Sequence, residues 1–278
     1  MTVRRPPFTY YGGKILLARR LIGMMPHHLT YIEPFFGSGA VFFAKAPVRN
    51  EIINDAADLV ANFFQVLRDD LEALVEACAL SPHSRAEYDR CAALDPTGLE
   101  PIEKARVFWV RVNQSFAKTA GDRTGWSCTI ARSQSVPGSI AGRLGRFAQC
   151  ADRLMATTIE NTDGAELIDR LATPDTVVYA DPPYLGSTRA MRRSSDYRTD
   201  MMDETSHIRL AEVLKRTPAT VLLSGYHSDL YEDLYAGWWR HEIDTSLRSS
   251  NARAGARGRR QEVIWSNRQI TEQLSLSG

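Results

Sequence analysis

The residues Asp181 to Tyr184, in the order Asp-Pro-Pro-Tyr, are the stretch of this sequence best suited to chemistry. The Asp181 carboxylate and the Pro182 carbonyl can together accept both N–H hydrogens of one amino group. Those two bonds favour a pyramidal nitrogen with an available lone pair, and they stabilise positive charge as it develops there. The prolines hold both acceptors in place, and Tyr184 offers a ring on which a nucleobase can stack. The motif therefore indicates methylation of the exocyclic amine of a base, with Asp181, Pro182, Pro183 and Tyr184 as catalytic residues.

The residues before this motif predict the strand that would position it. Thr176 to Ala180 is an apolar, β-branched run, typical of a parallel strand that is buried on both faces. Proline cannot continue a strand ladder, so the strand is expected to stop at Asp181. In open α/β sheets, ligands bind just beyond the carboxyl ends of strands. A strand-to-turn junction with an incidental acid is the alternative, because Asp-Pro pairs are common in turns.

Two further predicted strands end in residues that suit a nucleoside cofactor. A short strand ending near Glu33 is followed by a Gly-x-Gly turn at Gly37 and Gly39 and by an apolar helix, which predicts the first βα unit of a nucleotide-binding sheet. With two glycines rather than three, the turn suits a cofactor without a pyrophosphate, such as S-adenosylmethionine. A second strand, Glu51 to Asp55, ends in an acid at the spacing at which a carboxylate meets ribose hydroxyls. The alternatives are a turn needed for packing and a helix cap at Asp55.

Near the start of the chain, aromatic residues, a glycine pair and a lysine precede a predicted amphipathic helix that runs from Ile15 to Ile22. Gly12 and Gly13 allow close approach of a ligand to the backbone, and a helix N-terminus beside Lys14 suits an anionic or carboxylate-bearing ligand. A plain loop with an exposed Lys14 is the alternative.

Residues 71–153 differ in character from the rest of the chain. Turn signals punctuate helical stretches there, and from Lys104 onward the segment is strongly basic. We expect an inserted helical domain with a surface that faces DNA. The residues expected to contact DNA in it are Arg111, Asn113, Gln114, Lys118, Arg123 and Arg132. A solvated basic face that binds nothing is the alternative.

Two arginine-rich loops follow the central motif. Leu185 to Tyr197 combines glycine, hydroxyl and arginine side chains at the mouth of the expected site, which suits a loop that holds the DNA backbone around an extruded base. The predicted contacts in it are Arg189, Arg192, Arg193 and Tyr197. Simple surface flexibility is the alternative for this loop. Arg248 to Arg260 is either a phosphate-contacting loop or a disordered connector.

Composition sets broad limits on these interpretations. At 278 residues, of which 44% are hydrophobic, the chain can form one large core or a core with a smaller inserted domain. It has no apolar run of membrane-spanning length and no signal-peptide pattern. The four cysteines are scattered without metal or disulfide spacing, so we expect a reducing cytoplasm and no bound metal.

In this order, the motifs resemble those of the Dam-like DNA adenine-N6 methyltransferases over nearly the whole chain. Tyr10 to Lys14 is similar to the family's aromatic-x-Gly-Gly-Lys element, Glu33 to Gly39 to its cofactor motif, and Asp181 to Tyr184 to its catalytic motif. The resemblance implies cofactor contacts by Tyr10, Gly12, Gly13, Lys14, Glu33, Pro34, Phe35, Gly37, Gly39, Asn54, Asp55 and Asp181. One departure is Ala57, where many members have Asn.

The motifs and the resemblance together predict an α/β fold. A Rossmann-like, S-adenosyl-L-methionine-dependent methyltransferase sheet would be formed by residues 1–70 and 154–278, with an inserted, mostly helical target-recognition domain at 71–153. The expected substrate is an adenine flipped out of double-stranded DNA, whose N6 attacks the methyl group directly. A monomer without membrane contact is expected, and a cognate restriction endonuclease is a candidate partner.

Other functions stay open at this point. Cytosine-N4 methylation uses related chemistry, although such enzymes usually have Ser in place of Asp181. Cytosine-C5 methylation needs a thiolate nucleophile, and no cysteine here follows a proline as in that family's motif. Protein glutamine methylation is disfavoured because those enzymes have Asn where Asp181 stands. A non-catalytic DNA-binding protein on a methylase scaffold is the remaining alternative.

Overall fold

The computed structural model describes residues 4–10, 12–116, 118, 120, 125–128, 135–183, 203–244 and 261–270. These residues form one mixed sheet of seven strands with helices on both faces. The strands are β1 (Thr30–Glu33), β2 (Asn50–Asn54), β3 (Thr158–Glu160), β4 (Thr176–Ala180), β5 (Thr220–Tyr226), β6 (Trp239–Asp244) and β7 (Gln261–Ser266). The helices are α1 (Ala18–Gly23), α2 (Ala40–Ala44), α3 (Asp58–Asp69), α4 (Leu71–Ala79), α5 (Arg85–Ala93), α6 (Pro101–Gln114), α7 (Val136–Leu144), α8 (Phe147–Leu154), α9 (Gly164–Leu171), α10 (Glu204–Arg216) and α11 (Asp229–Leu234).

The strand order β3-β2-β1-β4-β5-β7-β6 places β1 beside β4 at the centre of the sheet. Strands β1 to β5 are parallel, whereas β7 runs antiparallel to both β5 and β6. The chain leaves β1 toward one edge of the sheet and returns at β4 toward the other. Ligands bind at such a switch point, between the carboxyl ends of the two strands. The predicted α/β, Rossmann-like sheet is confirmed.

Strand β4 is buried on both faces, as its apolar run predicts. Val177 and Tyr179 belong to one hydrophobic cluster, and Val178 and Ala180 belong to a second cluster on the opposite face. This alternation follows from the period of two in a strand, because helices cover both sides of the sheet. The end of β4 is thereby fixed between two packed layers.

The residues between 71 and 153 that the structure describes are mostly helical, as expected. Helices α6 and α8 nevertheless pack into the same core as the helices that cover the sheet. Phe108 and Trp109 of α6 and Phe147 of α8 lie against Phe63 of α3, with ring centroids 5.3–6.4 Å apart. Part of this segment therefore helps to build the main core. The boundaries at 71 and 153 remain a prediction.

The elements differ from expectation at two places. Strand β3 has three residues and was not predicted, because so short a run carries no pattern. The expected helix start beside Lys14 is wrong: residues 14–17 form a turn, in which the Lys14 carbonyl accepts from the N–H groups of Leu17 and Ala18, and α1 begins at Ala18. Lys14 is therefore not at a helix N-terminus.

Candidate active site

The Asp181 carboxylate lies directly after β4, at the carboxyl edge of the sheet. Its neighbour β1 ends in Glu33 at the same edge, since the two strands are parallel and in register. Pro182 is buried, whereas Asp181 and Pro183 are partly exposed. Tyr184, the fourth predicted catalytic residue, lies outside the described residues. The strand ends thus bring two acidic residues that are far apart in sequence to one place.

Lys14 forms an ion pair with the catalytic candidate Asp181. Its Nζ lies 2.7 Å from Asp181 Oδ1 and 3.2 Å from Glu262 Oε1, and it donates to the Gly12 carbonyl. Burial lowers the pKa of the Lys14 ammonium, but the two carboxylates raise it by more, so the net direction is upward. Glu262, near the start of β7, was not among the predicted site residues.

Glu33 is a buried acid that accepts a hydrogen bond from Tyr31. The Tyr31 hydroxyl lies 2.7 Å from Glu33 Oε2, and 2% of Glu33 is exposed. Burial and, to a smaller extent, the nearby Asp181 charge raise the pKa of Glu33 to about 8, against the lowering effect of the Tyr31 hydrogen bond and of Lys45. Glu33 is therefore largely neutral at pH 7 unless a cation binds beside it.

The glycine turn after β1 requires glycine for steric reasons. Gly37 and Gly39 have positive φ angles of 50° and 67°. A Cβ on Gly39 would lie 2.3 Å from Cζ of Phe36, and one on Gly37 would lie 3.5 Å from the Tyr10 ring. The amino-terminal segment also approaches this turn closely, because a Cβ on Gly13 would lie 3.3 Å from Ser38 Oγ. The predicted glycines are thus brought together where two backbone segments meet.

The acid after β2 supports the same turn. Asp55 accepts the N–H of Gly37 at 2.8 Å through one carboxylate oxygen and the N–H of Ala57 at 2.9 Å through the other. Burial raises the pKa of Asp55 to about 6, although both N–H bonds lower it. A carboxylate oxygen can accept more than one hydrogen bond, so these contacts leave capacity for a ribose hydroxyl.

Three other predicted cofactor residues make structural contacts. Asn54 donates to the carbonyls of Pro34 and Thr162 and accepts the N–H of Thr162. Its amide therefore ties the turn after β1 to the turn after β3. The ring of Phe35 lies against Gly164, where a Cβ would approach it to 3.0 Å. These residues shape the turn from behind.

The sequence was also compared with known proteins. The model of the D12 class N6 adenine-specific DNA methyltransferase family matches residues 10–110 and 143–248. The chain belongs to this family. It is similar to the type II methyltransferase M1.LlaDCHI of Lactococcus lactis subsp. cremoris, with 27% identity over 94% of this chain and 95% of the relative. It is also similar to the type II methyltransferase M.MjaIII of Methanocaldococcus jannaschii, with 23% identity over 84% of this chain and 89% of the relative. The resemblance drawn from the motifs is confirmed, and the protein methylates N6 of adenine in DNA.

Three of the residues expected to contact DNA lie inside the methyltransferase. Arg111 donates to the carbonyls of Cys91, Leu94 and Ala120. Asn113 donates to the Trp109 carbonyl and accepts from Arg143, and Gln114 donates to the Pro82 carbonyl. All three residues are buried, so the expectation that they lie on an exposed basic face is wrong. The physical reason is that α6 is buried on all sides along this stretch, and its polar groups must find partners within the protein.

The remaining DNA candidates are mostly not described. Lys118 is half-buried, has a positive φ of 61° and donates to the Asn113 carbonyl. Arg123, Arg132, Arg189, Arg192, Arg193 and Tyr197 lie outside the described residues.

An exposed aromatic ring just after α6 was not among the predicted DNA contacts. Phe116 is 73% exposed, and its N–H donates to the Gly125 carbonyl next to an antiparallel bridge between Ser115 and Trp126. Trp126 stacks on His83 at 4.9 Å and lies under the guanidinium of Arg85. Phe116 thus presents an exposed ring on the segment between the two matched blocks, and Arg85 places a cation against Trp126 of the same segment.

In the described part of the chain, no helix is long and apolar enough to cross a membrane.

Proposed function

We propose that this adenine-N6 methyltransferase uses S-adenosyl-L-methionine as its methyl donor and that Asp181 and the Pro182 carbonyl hold the target amine. The observation that carries the proposal is the position of Asp181 at the carboxyl end of β4, beside Glu33 at the end of β1. A switch point flanked by two acids and a glycine turn suits a nucleoside that carries positive charge.

The residues of the site fit this donor in shape and in charge. A Cβ would crowd the Tyr10 carbonyl at Gly13 and the Phe36 ring at Gly39, and Gly37 has a positive φ, so all three positions favour glycine. Glu33, Asp181 and Glu262 are three acids; Lys14 pairs with Asp181 and Glu262, and the charge of Lys45 acts on Glu33. Such a site favours a sulfonium, which supplies an activated methyl group when bound. Asp55 and Glu33 are the residues that we expect to hold the ribose and the positively charged part of the donor.

The chain's own residues act mainly by positioning and electrostatics. Lys14 contacts Oδ1 of Asp181 and so orients the carboxylate. The Asp181 carboxylate and the Pro182 carbonyl then accept the two N6 hydrogens of adenine. Bond formation between N6 and the methyl carbon would break the carbon–sulfur bond of the donor. The positive charge that develops on the nitrogen would lie beside the Asp181 carboxylate, and one N6 proton would then leave to solvent. No covalent intermediate with the protein is required, because the leaving group is already activated.

We propose that duplex DNA is bound by residues 116–142, which follow α6 in the segment between the two matched blocks, and by the loop that contains Arg189, Arg192, Arg193 and Tyr197. The exposed ring of Phe116 and its position inside the gap in the family match support this assignment. Tyr184 would stack on the extruded adenine. The proposed DNA-binding segment is shorter than the expected insertion at residues 71–153, because α6 and α8 contribute to the main core.

The experiment that tests the catalytic assignment is transfer of labelled methyl from S-adenosylmethionine to DNA by Asp181→Ala. We expect loss of more than about 100-fold in the rate of transfer, with donor binding largely kept. Asp175→Ala is the matched control, because Asp175 is an exposed acid at the opposite end of β4. Full activity of Asp181→Ala would refute the assigned role.

The relatives are named type II methyltransferases, and we propose that this chain protects DNA from a cognate restriction endonuclease. The proposal includes the monomeric state and the cytoplasmic location expected from the sequence. Long-read sequencing of DNA from cells that express the chain identifies the modified base and the target site together. Protection requires nearly every copy of one short site to be methylated, so incomplete methylation of the site would contradict it. Sedimentation measurements test the monomer.

A further inference from the structure

Glu262 is the second residue of β7, and it lies at the catalytic edge of the sheet because β7 is antiparallel. The register pairs Glu262 with Tyr226, the last residue of β5. The start of β7 therefore lies where the parallel strands end. Glu262 is 4% exposed, and its Oε1 lies 3.2 Å from Lys14 Nζ. A third acid thus reaches the site from the far end of the sequence.

A buried carboxylate at this place needs a reason. Removing an ionised carboxylate from water is strongly unfavourable unless a charged or hydrogen-bonding partner compensates for it. Lys14 is such a partner, and the same ammonium also contacts Asp181. One ammonium is therefore shared by two carboxylates, so the group of Lys14, Asp181 and Glu262 has a formal net charge of −1 when all three are ionised.

The shared ammonium affects what Asp181 can do. If Lys14 paired with Asp181 alone, the pair would be neutral, and the carboxylate would attract a developing positive charge less strongly. With Glu262 present, the three groups together keep one negative charge next to the reacting nitrogen. Glu262 on β7 also gives the Lys14 ammonium a second carboxylate contact. Both effects favour transfer without requiring Glu262 to touch the substrate.

We propose that Glu262 is a positioning residue for methyl transfer: it holds Lys14 so that Lys14 orients Asp181 while the three groups together stay negatively charged. This inference rests on the proposed role of Asp181. Glu262 acts through Lys14, and its removal changes the transfer step more than it changes donor or DNA binding.

The first test is Glu262→Gln, measured by single-turnover methyl transfer with saturating donor and DNA. We expect the rate to fall on the order of 10- to 100-fold, with KM values for donor and DNA within about threefold of wild type. The matched control is Glu242→Gln, an exposed acid on the neighbouring strand β6 that pairs with Arg240. The control is expected to keep the wild-type rate.

The pH profile distinguishes positioning from a merely structural role. Asp181 after β4 and Glu262 on β7 both raise the pKa of Lys14. Among the described residues, Glu33 on β1, Tyr179 on β4 and Tyr231 on α11 also interact electrostatically with one or both of these acids. Without Glu262, one of the two raising charges is lost. We therefore expect the alkaline limb of the transfer rate to move to lower pH in Glu262→Gln, and to stay near its wild-type position in Glu262→Asp.

A double-mutant cycle completes the test. If Glu262 acts through Lys14, Glu262→Gln has little further effect in a Lys14→Gln background, so the two effects are strongly non-additive. Additive effects, or a wild-type rate and pH profile in Glu262→Gln, would overturn the inference. Should Glu262→Gln fail to fold, as judged by circular dichroism, Glu262→Asp and the Lys14 variant supply the pH comparison. Full activity of Asp181→Ala would instead refute the proposed role of Asp181, on which this inference rests.

Discussion

The substitution Asn54→Ala separates a structural role from a cofactor-binding role at the end of β2. Asn54 is 1% exposed, and its amide Nδ2 donates to the Pro34 carbonyl at 2.9 Å and to the Thr162 carbonyl at 3.0 Å. Its Oδ1 accepts the Thr162 N–H at 2.9 Å. The sequence resemblance predicted that Asn54 contacts the cofactor. These three bonds predict instead that its main effect is on the stability of the two turns that it joins.

The expected magnitude follows from the three bonds. Each contributes about 1 kcal/mol to the free energy of unfolding, so their loss lowers it by about 3 kcal/mol. The Pro34 carbonyl is left without its buried partner, which adds about 1 kcal/mol, whereas the Thr162 groups are partly exposed and can bind water. The total of about 4 kcal/mol is a large part of the roughly 5–15 kcal/mol typical of a folded domain, so the variant should fold but with reduced stability.

Urea denaturation at a single temperature measures this loss. Asn50→Ala is the control, because Asn50 is an exposed asparagine at the start of the same strand with one bond, 3.2 Å long, to Thr30. We expect the control to change the free energy of unfolding by less than about 0.5 kcal/mol. A loss below about 1 kcal/mol in Asn54→Ala, accompanied by a large loss of donor affinity in the folded protein, would refute the structural role.

Three further predictions concern the turn, the buried acid and the internal arginine. Gly39→Ala should weaken donor binding at least tenfold in calorimetry, and in denaturation it should lower the free energy of unfolding more than Gly98→Ala does. Both glycines have positive φ, but only a Cβ on Gly39 meets the Phe36 ring. Between pH 4.5 and about 8, Glu33 in the folded protein holds a proton that the unfolded chain releases, so the free energy of unfolding falls as pH rises through this window. Glu33→Gln should remove up to about 1.4 kcal/mol per pH unit of that slope. An unchanged slope in pH-dependent denaturation would contradict the burial argument. Arg111→Met should lower stability by about 2–4 kcal/mol yet leave the salt dependence of DNA binding unchanged, whereas a phosphate contact would reduce the slope by about 1.

Local patterns were sufficient to predict the centre of the site. The run from Thr176 to Ala180 is buried on both faces because it is apolar throughout, and two prolines explain why it ends before Asp181. Gly37 and Gly39 have the positive φ angles that a tight turn after a strand requires. In each case the physical cause lies within a few residues of the feature, so the sequence reveals it directly.

Contacts between distant residues could not be predicted in this way. Lys14 and Glu262 come close because β7 enters the sheet in reverse between β5 and β6, and no local pattern specifies that order. The basic composition after Lys104 was also ambiguous, because an arginine that binds carbonyls inside the protein looks the same in sequence as one that binds phosphate. Arg111 is such a residue. Burial of the helix from Ala105 to Gln114 decided between the two uses.

The direction of β7 has a consequence for how the site carries its charge. The parallel strands β1 and β4 bring acids to the catalytic edge of the sheet from their carboxyl ends, with Glu33 at the end of β1 and Asp181 just after β4. An antiparallel strand supplies a residue from its start to the same edge, which is how Glu262 reaches Lys14 without lengthening any loop around the donor. The site therefore gains a negative charge from a rigid strand, and a rigid charge needs little reorganisation when positive charge moves toward the reacting nitrogen. A carboxylate on a flexible loop at the same distance would have to be ordered in each turnover, and part of its stabilisation would be lost to that ordering.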